Sequence, residues 1–348
     1  MNIDGLDGVN AFKERRVRRQ ETKMANPKIS ILIPTYNRAV FLKEALESIV
    51  RQAADGLECI VCDNASTDST EGVVKSFRAR HPFVRYFKNQ RNLGAGRNIL
   101  LCLTYAQGEY VWLFGDDDRM SAEAVKNVKA VLNKHQDLAL VFVNHCVKDK
   151  DLKAMLDPCS IRRFKDELFV TGNDCLRTVG FHLSFMSSLV FQRQAYLLVQ
   201  RQEAFADSNM IPLYIALSVM GAAHRHSFLI SHPYVEQRSS NSVGYDYFRC
   251  MVEDSCGVLA AVKPLGYTDS AIRKVKNDII QQALFKKIIF LRCTDPSSLK
   301  NTLALLRKHF CFYPMFWLKI FPFFVIPSFF LRWLRSFYQR IKRRRMVV

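Results

Sequence analysis

Between residues 28 and 144 the chain alternates short, dense apolar runs with longer stretches whose apolar residues recur every three or four positions. The runs Lys28–Pro34, Leu57–Cys62, Val84–Lys88, Tyr110–Phe114 and Leu138–Asn144 are short and rich in β-formers, and they predict strands. The intervening pattern predicts helices. In Val40–Gln52 the side chains of Leu42, Ala45, Leu46, Ile49 and Val50 share a face. Thr70–Arg80 follows Asp68 and Glu71, which are spaced as in a capping box. Further helices are predicted from Gly94 or Gly96 to Ala106 and over Ser121–Lys134. Strand–helix alternation with short loops predicts an α/β fold, a mostly parallel sheet flanked by helices.

In such sheets ligands collect at the carboxyl ends of the strands. Here those ends read Pro34-Thr35-Tyr36-Asn37-Arg38, Asp63-Asn64-Ala65-Ser66 and Gly115-Asp116-Asp117-Asp118, three polar segments facing one crevice. Three adjacent carboxylates repel one another unless positive charge sits among them. A divalent cation is the simplest such partner, since hard cations prefer carboxylate oxygens. An acidic turn before the helix near Ser121 is the plainer alternative. No GxxxxGK[ST] phosphate loop exists, and Gly94-Ala95-Gly96 lacks the third glycine of a dinucleotide turn. A nucleotide site built from carboxylates and a metal fits what remains.

A hydrophobic content of 49% over 348 residues supports one large domain with appendages. The ten cysteines form no framework, and Cys59 and Cys62, although spaced CxxC, lie in a predicted strand where they point to opposite faces. Residues 1–27 read as a polar, basic extension without a secretory signal, and Met24 is a candidate native start. The net charge of +19 is concentrated late in the chain. After Asp295 there is no acidic residue, while Lys300, Arg307, Lys308, Lys319, Arg332, Arg335, Arg340, Lys342, Arg343, Arg344 and Arg345 are all basic. Phe310–Leu331 is dense in Phe, Trp, Ile and Leu and is interrupted by Pro314, Pro322 and Pro327. An apolar stretch followed by a polybasic cluster predicts an anchor on an anionic membrane surface, and not a nucleic-acid partner. A single pass or re-entrant hairpin is one alternative, and a packed core helix pair followed by a nucleic-acid-binding tail is another.

In order and spacing, Ile33-Pro34-Thr35-Tyr36-Asn37-Arg38, Asp63-Asn64-Ala65-Ser66-Thr67-Asp68, Asn92-Leu93-Gly94, Arg97-Asn98 and Gly115-Asp116-Asp117-Asp118 resemble a family 2 glycosyltransferase with the GT-A fold. The Leu-Phe-Gly-Asp-Asp-Asp form is similar to the abequosyltransferase-like subgroup of bacterial O-antigen assembly. The resemblance implies that Pro34, Thr35, Asn37 and Arg38 line a nucleotide pocket with Asn92 and Gly94. It implies that Asp63 accepts from the base and that Arg97 faces the diphosphate or ribose. Asp116 and Asp118 would form the DxD pair on Mg²⁺ or Mn²⁺, with Asp117 a further candidate. In Phe205-Ala206-Asp207-Ser208-Asn209, before an apolar helix over Met210–Met220, Asp207 is the expected general base and Glu203 the second candidate; a helix cap is the structural alternative for Asp207. Arg238, in a loop expected to close over the diphosphate, is a phosphate candidate. His226 and His232 are weaker candidates for a third metal ligand.

The expected organisation is a basic extension over 1–27 and a catalytic domain over 28–240, divided at residue 146 into a nucleotide-sugar half and an acceptor half. A helical region over 241–309 and a membrane-associating tail over 310–348 follow. The expected activity is inverting transfer of one sugar from a nucleotide diphospho-sugar to a glycan or polyprenyl-diphosphate-linked saccharide, at the cytoplasmic face of a bacterial inner membrane. A sugar-1-phosphate nucleotidyltransferase and a catalytically inactive nucleotide-sugar-binding membrane protein are the rival readings.

Overall fold

The computed structural model describes residues 28–201, 203–223, 226–239, 246–294 and 299–327. The 1–27 extension, Met24, Leu331 and the basic residues from Arg332 onward lie outside these. The chain starts with β1 (Ile29–Thr35), α1 (Ala39–Val50), β2 (Leu57–Asp63), α2 (Thr70–Arg78), β3 (Val84–Lys88), α3 (Ala95–Thr104) and β4 (Tyr110–Leu113). It continues through β5 (Arg119–Met120), α4 (Ala124–Lys134), β6 (Leu138–Lys148), β7 (Met155–Asp157), β8 (Glu167–Phe169), α5 (Gly172–Val179), β9 (Leu189–Gln192) and α6 (Arg193–Leu197). Then come α7 (Ile211–Ala223), β10 (His226–Arg238), α8 (Ser255–Val262), α9 (Asp269–Asp278), α10 (Phe285–Thr294), α11 (Leu299–Phe310) and α12 (Pro322–Val325).

One sheet runs in the order β3-β2-β1-β4-β9-β6-β10-β5, with β7 beside β6 and β8 beside β10. The first four strands are parallel, as the pattern predicts. Beyond β4 the sheet is mixed, because β9 inserts antiparallel between β4 and β6. The β6 strand runs on to Lys148, past the predicted end at Asn144, because its last residues continue to pair with β10 and with β7. The helix expected from Ser121 starts only at Ala124: Arg119–Met120 pairs with β10, and Glu123 adopts a left-handed φ of 63° at the helix start.

Strands buried on both faces read as continuous apolar runs, and alternation sends their side chains into two cores. Ile29, Ile31, Ile33, Cys59, Val61, Trp112 and Phe114 face α1, α2 and α4. Leu32, Ile60, Cys62, Val111 and Leu113 face α3, α7 and the C-terminal helices. Cys59 and Cys62 therefore belong to opposite cores, as expected from their spacing in a strand. Register aligns Thr35 with Asp63, and Phe114 N–H donates to Leu32 O, so the segments after β1, β2 and β4 emerge along one edge.

Candidate active site

The loops at that edge are laced together by short polar side chains. Asn37 sits at a left-handed φ of 53°, its N–H donates to Ser66 Oγ, and its Oδ1 accepts from Thr67 N–H at 2.8 Å. Asp68 reaches back to Ala39 N–H and also takes Thr70 N–H, so one carboxylate caps both α1 and α2. Asn64 bonds Asn92, Asn89, Leu93 N–H and Gly94 O. Gly94 holds a φ of 85°, which a side chain would strain, and opens α3. Pro34, Thr35, Asn37, Arg38, Asn92 and Gly94 thus sit on one framework. Asp63 is fully buried: its oxygens accept from Ser66 N–H at 2.7 Å and from the Tyr86 hydroxyl at 2.6 Å.

The acidic turn is held from several directions. Arg38 Nη1 lies 2.8 Å from Asp117 and 3.4 Å from Asp116. Asp118 turns inward, its Oδ2 accepting from Ser187 Oγ at 2.5 Å and its Oδ1 from Arg238 N–H at 3.0 Å. Ser187 Oγ also accepts from Gly115 N–H, and Ser187 O accepts from the Trp112 indole. Burial, reinforced by the charge of Asp117, pushes the Asp116 carboxyl up to about 7 against the pull of Arg38 and Thr35. The same two causes push Asp118 upward, against the hydrogen bond from Ser187. Thr35 Oγ1 is buried and has no hydrogen-bond partner of ordinary geometry among the described residues. Two desolvated carboxyls, with the Thr35 hydroxyl beside Asp116, form a set of hard oxygen donors, and they suit a small divalent cation that keeps its remaining positions for phosphate oxygens and water. No cluster of three or more His, Cys, Asp or Glu able to hold a metal by itself is found among the described residues. His226 and His232 stand exposed on β10.

Near the start of α3, Arg97 makes a bidentate ion pair with Asp207, at 2.8 and 2.9 Å, and both side chains are exposed. The hydrogen bonds from Arg97 hold the Asp207 carboxyl below its ordinary range. The pairing depends on Gly96, where an added Cβ would lie 2.3 Å from Ala206 O. Ser208, not Asp207, receives Met210 N–H at the start of α7. Glu203 lines a 640 Å³ cleft with Arg91, Asn92, Arg97 and Ala206. Arg238 is 6% exposed and works inward: its guanidinium donates to Asp117 O, Lys150 O and Glu44, and it stacks on Phe41. Ser187, Tyr86 and Glu44 carry no motif; only the short apolar run after Ser187-Ser188 hinted that the serines end against a strand.

The sequence profile described as glycosyl transferase family 2 matches residues 30–191. Abequosyltransferase RfbV of Salmonella typhimurium is 31% identical over 229 residues, covering 61% of this chain and 67% of that protein. The chain belongs to glycosyltransferase family 2. Within the family, this glycosyltransferase is 36% identical over 126 residues to the GalNAc(5)-diNAcBac-PP-undecaprenol beta-1,3-glucosyltransferase of Campylobacter jejuni, over 36% of this chain and 40% of that one. It therefore spans well under two thirds of that second relative. Among solved structures, S. aureus TarS 1-349 in complex with UDP-GlcNAc superposes with a TM-score of 0.62 at 15% identity, covering 81% of this chain and 80% of that one. The mannosyltransferase PcManGT from Pyrobaculum calidifontis, solved with GDP-Man and Mn2+, gives 0.50 at 19% identity, covering 88% and 90%. The shared fold is the GT-A arrangement of a mixed sheet flanked by helices.

Proposed function

We propose that this glycosyltransferase moves one sugar, with inversion, from a nucleotide diphospho-sugar to a lipid-linked glycan during bacterial surface-polysaccharide assembly. What supports the reading is the acidic turn Asp116–Asp118, held with Arg38 and Thr35 at the carboxyl edge of the sheet, together with the Arg97–Asp207 pair near the start of α3. The relatives' names support the glycan class, and the Campylobacter relative's name supports an undecaprenyl diphosphate acceptor. The nucleoside would lie over the segments Pro34–Arg38 and Asn92–Gly94. The buried Asp63, with both oxygens already engaged, would act on the base by fixing the Ser66 loop and by a remaining lone pair.

Asp116 and Asp118, with Thr35 beside them, would hold a Mg²⁺ or Mn²⁺ ion, and Asp117 would keep Arg38 in place. Such a cation, when bound, supplies Lewis-acid neutralisation of charge on the departing diphosphate. Arg38 adds fixed positive charge at the same place, and the interior bonds of Asp118 hold the turn against movement as that charge develops. Asp207 is the proposed base for the acceptor hydroxyl. It stands outside the core, exposed and oriented by two bonds from Arg97, and takes up the proton as the hydroxyl oxygen attacks the anomeric carbon. Glu203 lines the neighbouring cleft and is assigned to acceptor contact. Arg238 would serve the site from beneath, through Asp117 O and Asp118.

The test is turnover in single variants. Asp207→Asn should lower kcat by about 10²- to 10⁴-fold, the usual contribution of a positioned base, with donor binding by titration calorimetry preserved. Glu203→Gln should act mainly on acceptor KM. If Glu203→Gln abolished turnover while Asp207→Asn kept it, the two roles would be exchanged.

A further inference from the structure

The last described part of the chain has one buried side and one bare side. Phe310, Phe316 and Ile320 are fully buried in the core that α7 and α9 share. On the other side of the same turns Phe312 is 94% exposed, Leu318 74%, Val325 63% and Trp317 41%. These side chains sit on a built surface. The Trp317 indole donates to Cys311 O at 2.7 Å, and its ring packs on Phe316 and Phe321 at 5.1 and 4.8 Å. Phe321 is itself packed against the core, so the Trp317 ring rests on residues tied to the interior. Contiguous exposed apolar surface of this kind marks a contact site.

Charge selects the occupant. Arg307, Lys308 and Lys319 are exposed in the same stretch of chain, and of these Lys308 has an acidic neighbour, Glu253 at 3.5 Å. Seven further basic residues follow in the sequence after residue 327, and none of the last 53 residues (348 − 295) is acidic. No helix among the described residues is long and apolar enough to cross a membrane. Aromatic side chains at the water boundary with cations beside them fit a lipid surface better than a protein face, which would bring compensating acids. We propose that Phe312, Trp317, Leu318 and Val325 form a wedge that enters the headgroup–acyl boundary of an anionic bilayer, with Arg307, Lys308 and Lys319 against the headgroups. The surface lies outside the acidic crevice, so its failure would leave the transfer reading standing.

The full chain should co-float with vesicles containing phosphatidylglycerol and stay below vesicles of phosphatidylcholine alone. Phe312→Ser with Leu318→Ser should lower the bound fraction at least about tenfold, since burying one such side chain is worth an order of magnitude or more. Both positions are exposed, so an unchanged circular dichroism spectrum checks that the variant is folded. In a Trp333→Phe background, Trp317 emission should shift blue and be quenched by brominated lipid, while Trp112, fully buried in the other core, stays constant. Flotation of the double variant at the level of the parent chain would overturn the proposal. So would failure of the parent chain to float, and so would a concentration-dependent dimer, lost in the double variant, without vesicle binding, which would assign the face to a second copy.

Discussion

Ser187 reinforces the acidic turn beyond its own 3.5 Å bond from Asp118 N–H to Gly115 O, accepting from Gly115 N–H and donating to Asp118. Ser187→Ala strands a buried donor and a buried carboxylate oxygen, and it should cost about 1–3 kcal/mol in urea denaturation. Thr35→Val is the contrasting case. The Thr35 hydroxyl makes no hydrogen bond of ordinary geometry and only pulls on the Asp116 carboxyl, so its removal should cost less stability than Ser187→Ala while weakening Mn²⁺-dependent donor binding, read by calorimetry. Equal loss of stability in both variants would mean that Thr35 is structural. The residue types of the crevice were legible in sequence because carboxylates after a buried strand have few other uses. Their orientation was not, since Asp118 turns inward through Ser187 and Arg238, which stand 69 and 120 positions away.

At the scale of elements, the parallel half of the sheet followed from apolar runs and short loops, whereas β9 did not. Its three apolar residues and Gln192 form an ordinary short run, and only pairing with both β4 and β6 makes them a central strand. Arg238 was misplaced for the same reason. Expected in a loop closing over the diphosphate, it is the last residue of β10, carried by strand pairing under the acidic turn. The contact between α3 and the 206–208 segment is a second long-range effect with one visible sign, the glycine at position 96. Gly96→Ala sets a methyl group against the Ala206 and Ser208 carbonyls, and the overpacking should cost about 1–3 kcal/mol. It should also move Asp207, so turnover should fall further than donor affinity. Retention of both melting temperature and turnover would contradict this account of the contact.

Over the whole molecule, the residues from 310 onward begin inside the fold. Phe310 and Phe316 are fully buried, and removing either side chain alone should cost about 3–5 kcal/mol, so deletion of 310–348 should abolish the cooperative urea transition. Protein stability should also carry the signature of His145. Burial, with His182 adding to it, depresses its pKa to about 3, against an ordinary value of 6.5. The unfolded chain therefore takes up the proton first, and the contribution is complete above pH 6.5 and lost as pH falls toward 3. The slope approaches about 1.4 kcal/mol per pH unit. His145→Gln should flatten that slope in urea titrations at pH 5 and pH 7. The central claim, however, is transfer from a nucleotide sugar in a cation-assisted crevice, and nucleoside diphosphate release over a panel of donors measures it most directly. The account predicts release from a restricted set of donors, abolished by chelation and lowered at least about 10²-fold by Asp118→Ala; release that survives both chelation and Asp118→Ala would contradict it.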